Sequence, residues 1–381
     1  MKNILITGGA GFIGSNLSLK LIEKGYNITI VDSLLPQIHG EQPEISSPLY
    51  VSIKNKVNFI HADVAIVDDS FWLDVLKNQD IIVHFAAETG TGQSMYQLNR
   101  YNQTNVMGTS KLLQALQNKN HQIQKVVVAS SRAVYGEGKY FSESIQQFVY
   151  PKHRAEIDML HGDFECKCPI TNQSVTLCAT TEDSMIQPNS IYGLNKYEQE
   201  KSIEIICSSM DIPFVAFRYQ NVYGVGQSLS NPYTGILAVF SNRIRANQPI
   251  LIFEDGQESR DFVYIDDVVD ATILGIESDS ANNQVFNVGN GVATSVIDVA
   301  QSLIKNFEIE VPIEITGKFR KGDIRHNFAD ISKIKKLLGF EPKIDFSKGM
   351  KKYVDWVKTQ ANPENNFEQS LAEMSAKGLY K

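Results

Sequence analysis

Residues 3–32 read NILITGGAGFIGSNLSLKLIEKGYNITIVD. A short apolar run ends at Thr7, and a glycine cluster follows. Ile13, Leu17 and Leu21 then recur at helical spacing, and a second apolar run, Ile28 to Val31, ends at Asp32. Strand, glycine turn, helix and strand in this order predict the opening unit of a parallel, doubly wound sheet. Gly8, Gly11 and Gly14 have the spacing G-x-x-G-x-x-G and enclose Phe12 and Ile13. Glycines permit a tight turn and close backbone approach to a pyrophosphate, and the helix N-terminus adds N–H donors and a positive dipole end. Asp32 lies 18 residues after Gly14. A carboxylate there accepts hydrogen bonds from an adenosine ribose and repels a 2′-phosphate. Ser33, Leu34 and Leu35 follow without a cation, so NAD is favoured over NADP.

The alternation continues outward from this unit. Val57 to His61, Ile81 to Ala86, Val126 to Ser130 and Phe214 to Arg218 read as strands. Ser70 to Lys77, Asn99 to Gln117 and Tyr192 to Ser209 read as helices. The expected fold class is α/β, a doubly wound parallel (Rossmann) sheet with a smaller C-terminal substrate-binding lobe. Asp63 and Val64, after the third strand, are placed to contact adenine. Phe85, Ala86 and Ala87 close the fourth strand where the backbone passes the pyrophosphate. Residues 1–221 are assigned to the NAD-binding domain, with an insertion at about 139–188. Residues 222–357 are mainly the smaller lobe, with 262–290 returning to the first domain, and 358–381 read as a loosely ordered polar tail.

Composition narrows the function classes. The chain has 381 residues, 36 basic and 43 acidic, for a formal net charge of −7, which argues against nucleic acid as a partner. No apolar run reaches the ~20 residues that cross a bilayer, so no membrane partner is expected. The N-terminus does not read as a secretory signal, and four cysteines in a chain this long are not a disulfide framework, so a cytoplasmic location is expected.

Tyr192 and Lys196 form Y-x-x-x-K and share one helix face. A phenol is a poor base near neutrality, with an ordinary pKa of ~10, and a nearby ammonium is expected to lower it. Ser130 and Ser131 end a strand that should open at the carboxyl edge of the sheet, where ligands bind. A serine hydroxyl there can hold a substrate oxygen and pass a proton to or from the tyrosine.

Through TGGAGFIG, HFAA, SSRAVYG, YGLNK, FRYQNVYG and SRDFVYIDDV, the chain resembles the extended short-chain dehydrogenases/reductases, in the nucleotide-sugar epimerase and dehydratase branch, over about residues 1–357. The resemblance implies that Ser131, Tyr192 and Lys196 are catalytic and that NAD is tightly held, with Ser130, Asn105, Tyr219 and Val222 among its contacts. It implies that Arg132 and Asn221 meet a nucleotide-sugar substrate and that Arg260 clamps its diphosphate. Arg320, Asp323 and Arg325 in RKGDIRHNFAD are similar to the family's late phosphate- and ribose-binding segment. Thr89 to Tyr96 is expected to line the sugar pocket, with Glu88, Thr89 and Thr91 as contacts.

The 4,6-dehydratases of this branch resemble one another in an Asp-Glu pair directly after the catalytic Ser or Thr. Here those positions are Arg132 and Ala133. Without a proton carrier for elimination, what remains is oxidation at C4, rotation of the keto sugar and hydride return to the other face. AAETGTGQSMY (86–96), ASSRAVYGEG (129–138) and GDFECKCP (162–169) resemble the bacterial dTDP-L-rhamnose 4-epimerases. A UDP-glucose/UDP-galactose 4-epimerase and a net NAD(P)H-dependent 4-keto-sugar reductase are the alternatives. Cys166, Cys168, Cys178 and His161 lie in the insertion, but a fourth clustered cysteine is missing, so no metal is expected there. Surplus apolar residues on 99–117 and 192–209, with the resemblance, imply a homodimer through these helices.

Overall fold

The computed structural model describes residues 2–118, 120–231, 233, 235–361 and 367–381. The run Lys125–Ser131 (KVVVASS) is buried at every position, because this strand is covered on both faces. It lies inside a seven-stranded sheet. From edge to edge the strands are Gln284–Val288, Phe214–Tyr219, Lys125–Ser131, Ile81–His84, Asn3–Thr7, Asn27–Asp32 and Asn58–His61, and every pairing is parallel. The chain winds one way from Asn3–Thr7 through Asn27–Asp32 and the other way from Ile81–His84. A crevice therefore opens at the carboxyl ends of these strands, at the reversal point. Two apolar clusters cover the two faces, one around Ile4, Ile6, Ile30 and Phe217, the other around Leu5, Val31, Val126 and Phe214.

The smaller lobe gathers the strands Asn221–Tyr223, Ser259–Tyr264, Ala293–Ser295 and His326–Asn327, and a separate pair, Ile250–Ile252 with Ile313–Ile315. The helix Ile265–Glu277 packs on the first helix, Phe12–Glu23, and Gln284–Val288 forms the outer strand of the main sheet. The insertion forms a three-stranded antiparallel sheet, with Tyr140, Val149, Cys166 and Cys168 in a small apolar cluster. Among the described residues no group of three or more His, Cys, Asp or Glu could hold a metal ion. Among them, too, no helix is long and apolar enough to cross a membrane.

Two sequence expectations change. The helical run from Leu98 to Leu116 is interrupted by a π-helical turn, Asn102–Met107. That turn carries Asn105, whose side chain bonds the backbone N–H and C=O of Glu88 over 2.7 and 3.1 Å. The stretch expected to be a loose tail contains a helix, Phe367–Ala376. Phe367, Ser370 and Met374 recur on one face and are buried, so a narrow apolar stripe docks a segment of polar composition.

Candidate active site

A cavity of about 600 Å³ opens in the crevice. The glycine turn forms its floor. Gly8 has φ +68°, and a Cβ there would stand 2.7 Å from the backbone N of Ala86. A Cβ on Gly14 would stand 2.6 Å from the Gly8 carbonyl oxygen. The turn and the end of the fourth strand thus touch backbone to backbone, which only glycine permits, and a cradle fit for a pyrophosphate remains beneath the helix Phe12–Glu23. Gly11, Phe12 and Ile13 line it as well. Asp32 is buried at the cavity edge, where Oδ2 accepts from the Ala10 N–H and Oδ1 from the Leu34 N–H, both over 2.9 Å. Each oxygen keeps a further lone pair, which suits a ribose diol. Asp63, Val64, Phe85, Ala86 and Ala87 line the same space.

Beneath this floor a polar chain fixes the strand ends. Thr7 Oγ1 meets His84 Nδ1 over 2.8 Å, and His84 Nε2 meets Thr109 Oγ1 over 2.9 Å. Burial, seconded by the Lys196 charge, pushes the His84 pKa down to about 3, so this imidazole is neutral.

Ser131, Tyr192 and Lys196 also face the cavity. The Ser190 hydroxyl caps the helix Ile191–Ser209, which delivers Tyr192 and Lys196 from its first turn and a half. Tyr192 and Ser131 face the same cavity. Burial raises the Tyr192 pKa, and the Ser131 hydroxyl and the Arg132 charge oppose that rise. Lys196 donates to the Ala129 carbonyl over 2.9 Å, and burial pushes its pKa down to about 7. This corrects the simple pairing expected from Y-x-x-x-K. The cation acting on the phenol is Arg132, and burial outweighs it.

Arg132 lines the cavity, and its Nε donates to Asn221 Oδ1 over 2.8 Å. Ser130 reaches the wall, but its hydroxyl donates to Glu200 over 2.6 Å. Tyr219 presents its ring, with its hydroxyl 2.7 Å from Thr272 Oγ1, and Val222 stands nearby in the wall. Glu88, Thr89 and Thr91 line the cavity, although the Glu88 carboxylate is forked by Arg100 over 2.8 and 2.7 Å. Arg260 is braced on the carbonyls of Ser259, Ile324 and Arg325 over 2.7–2.8 Å. Arg320 pairs with Asp323 over 2.7 Å, and both line the wall. Four backbone or carboxylate anchors thus aim two guanidiniums, a geometry suited to phosphate oxygens.

Two expected contacts lie off the cavity wall. Arg325 is fully buried and bonds Glu165, Glu254 and Asp255 over 2.6–3.0 Å, so its guanidinium is consumed by carboxylates. Asn105 is fully buried and holds the Glu88 backbone instead of facing the cavity. Conversely, Thr104, Tyr233, Glu258, Phe367 and Met374 line the cavity although no sequence motif points to them. The spacing of Phe367 and Met374 was the available signal for the last two.

The model of the NAD dependent epimerase/dehydratase family matches residues 4–155 and 172–289, and the gap between falls in the insertion. A dTDP-L-rhamnose 4-epimerase from Burkholderia thailandensis is 35% identical, over 96% of this chain and 97% of its own. A putative UDP-glucose 4-epimerase from Methanocaldococcus jannaschii is 32% identical, over 93% of this chain and 98% of its own. The solved structure of a Bacillus cereus UDP-glucuronic acid 4-epimerase, in complex with UDP-glucuronic acid and NAD, superposes with a TM-score of 0.73. It is 25% identical, and the match covers 93% of this chain and 99% of that one.

Proposed function

Because this chain belongs to the NAD-dependent epimerase/dehydratase family and is an NAD-using nucleotide-sugar epimerase, we propose that it interconverts dTDP-L-rhamnose and dTDP-6-deoxy-L-talose by inversion at C4. The observation that carries the reaction type is the pair of residues after Ser131. Arg132 is tied to Asn221 and Ala133 is buried, so no carboxylate follows Ser131 to eliminate water from a 4-keto sugar.

Tyr192, which shares the cavity wall with Ser131, takes the proton of the C4 hydroxyl at its phenol oxygen. Ser131 holds the C4 oxygen through oxidation and reduction. Arg132 supplies positive charge that favours phenolate against the cost of burial, while Lys196 stays anchored on the Ala129 carbonyl. Bound NAD supplies hydride acceptor and donor chemistry. After the keto sugar has turned its other face, Tyr192 returns the proton to the C4 oxygen, so no proton or electron is gained or lost overall. Arg260 and Arg320 hold the diphosphate while the sugar turns. Similarity to the Burkholderia enzyme supports the dTDP sugar. The exposed Met107, Leu194 and Ile205 on the two helical runs support pairing of two copies through those runs.

The test is incubation of the purified protein, without added cofactor, with dTDP-L-rhamnose and separately with UDP-glucose, read by proton NMR. A talo product from the first supports the proposal. Turnover of UDP-glucose alone moves the assignment to a UDP-sugar epimerase, and activity only with NAD(P)H and a 4-keto sugar moves it to a reductase.

A further inference from the structure

The segment 367–381 lies beyond the family match, yet it helps to build the cavity. The helix Phe367–Ala376 brings Phe367 and Met374 to the cavity wall. Met374 is 2% exposed, and its Sδ lies 3.2 Å from where a Cβ on Gly92 would stand, so it seats on Gly92 in the 86–96 loop. Beside it, Glu373 Oε2 is within hydrogen-bond distance of two phenols, Tyr96 at 3.1 Å and Tyr233 at 2.9 Å. The two hydroxyls are themselves 2.8 Å apart. Tyr96 closes the loop expected to line the sugar pocket. Tyr233 lies against that same loop, 3.3 Å from where a Cβ on Gly90 would stand.

The far end of the segment is fastened separately. The backbones of Lys381 and Phe319 exchange two hydrogen bonds of 2.9 and 3.1 Å. Tyr380 forms an antiparallel bridge with Arg320 and packs its ring 5.2 Å from that of Phe253. Arg320 and Phe253 line the cavity too. One stretch of chain is therefore pinned to the 90–96 loop at one end and to the 319–321 segment at the other, with cavity wall between.

We propose that residues 367–381 form a strap that completes the substrate-binding cavity, with Glu373 as its latch on Tyr96 and Tyr233. Its ligand class, a nucleotide sugar, rests on the function proposed above. A carboxylate accepting from two phenols makes charge-assisted bonds, stronger than those of an amide of the same shape. Glu373→Gln therefore loosens the strap without opening a hole. Glu368, on the same helix, provides the control: it sits 3.9 Å from Arg243 with a side chain 73% exposed.

The experiment uses the full chain as wild type, E373Q and E368Q, with equal thermal unfolding as the check on folding. Steady-state kinetics employ whichever nucleotide sugar the wild type turns over. E373Q is expected to raise KM ~5-fold or more while kcat moves less than ~2-fold, the signature of lost uniform binding. E368Q should keep the wild-type KM. An E373Q KM equal to that of wild type overturns the latch, and the strap with it. Trypsin cleavage after Lys377, followed by mass spectrometry, gives a readout independent of turnover. Here dTDP or UDP should slow cleavage of wild type more than of E373Q, and equal protection overturns the strap. A wild type that turns over no nucleotide sugar defeats the proposed function, while the cleavage comparison still decides the strap.

Discussion

Glu200 and Arg218 meet in a buried fork, Nη2 to Oε1 over 2.6 Å and Nε to Oε2 over 3.0 Å. The fork joins the helix that carries Tyr192 and Lys196 to the strand that carries Tyr219. Glu200 also accepts from Ser130, one residue before Ser131, over 2.6 Å. Helix, strand and serine are thus registered to one carboxylate, and the Ser131 and Tyr192 hydroxyls inherit their spacing from it.

Removing one partner of this fork leaves the other charged, buried and uncompensated. R218A is expected to lose about 3–5 kcal/mol of stability, measured by urea unfolding. A loss under ~1 kcal/mol would contradict the structural weight of the pair.

His84 makes stability depend on pH. Its pKa falls from an ordinary 6.5 to about 3 on folding, chiefly through burial. Between these values the unfolded chain binds a proton that the folded chain refuses. The stability from neutral His84 is therefore full above pH 6.5 and is lost as pH falls toward 3. Between pH 7 and 5 the wild type should lose about 2 kcal/mol more than H84Q does. Parallel stability curves for the two proteins over that range would show that this imidazole does not carry the effect.

The glycine turn predicts a cofactor defect. In G14A the new methyl carbon meets the Gly8 carbonyl at 2.6 Å, and backbone cannot yield as a side chain does. The turn must shift under the pyrophosphate, so NAD affinity should fall by ~10-fold or more, read as NAD released from heat-denatured protein and by titration. Retention of wild-type NAD content would remove the turn from the binding site.

Tyr192 is the proton carrier in the proposed chemistry. Y192F keeps the ring and loses the hydroxyl, so kcat should drop ~10²–10⁴-fold with NAD content unchanged. Activity within a few-fold of wild type would assign the proton transfer to another group.

The parts of this molecule legible in its sequence are those set by local rules. The glycine turn, Asp32 and the apolar runs need only short-range spacing, and the strand order follows from the alternation. Ser131, Tyr192 and Lys196 lie at strand and helix ends whose position the topology dictates. What was illegible depends on distant partners. Arg325 in RKGDIRHNFAD looks the same whether phosphate or carboxylates await it, and Glu165, Glu254 and Asp255 arrive from far along the chain. Asn105 is turned by a π-helical segment that no periodicity announces. The electrostatics of Tyr192 follow from its burial, which spacing does not reveal. The helix Phe367–Ala376 was hidden because its three buried residues are dispersed among polar ones.

Inversion at C4 by internal hydride return is tested most directly by epimerisation in D₂O with no added cofactor. Proton NMR of the product from dTDP-L-rhamnose should show the 4-epimer with no deuterium on the sugar ring. Deuterium at C3 or C5 would mean that the ring passed through an enol, which contradicts proton transfer by Tyr192 with hydride return from resident NAD.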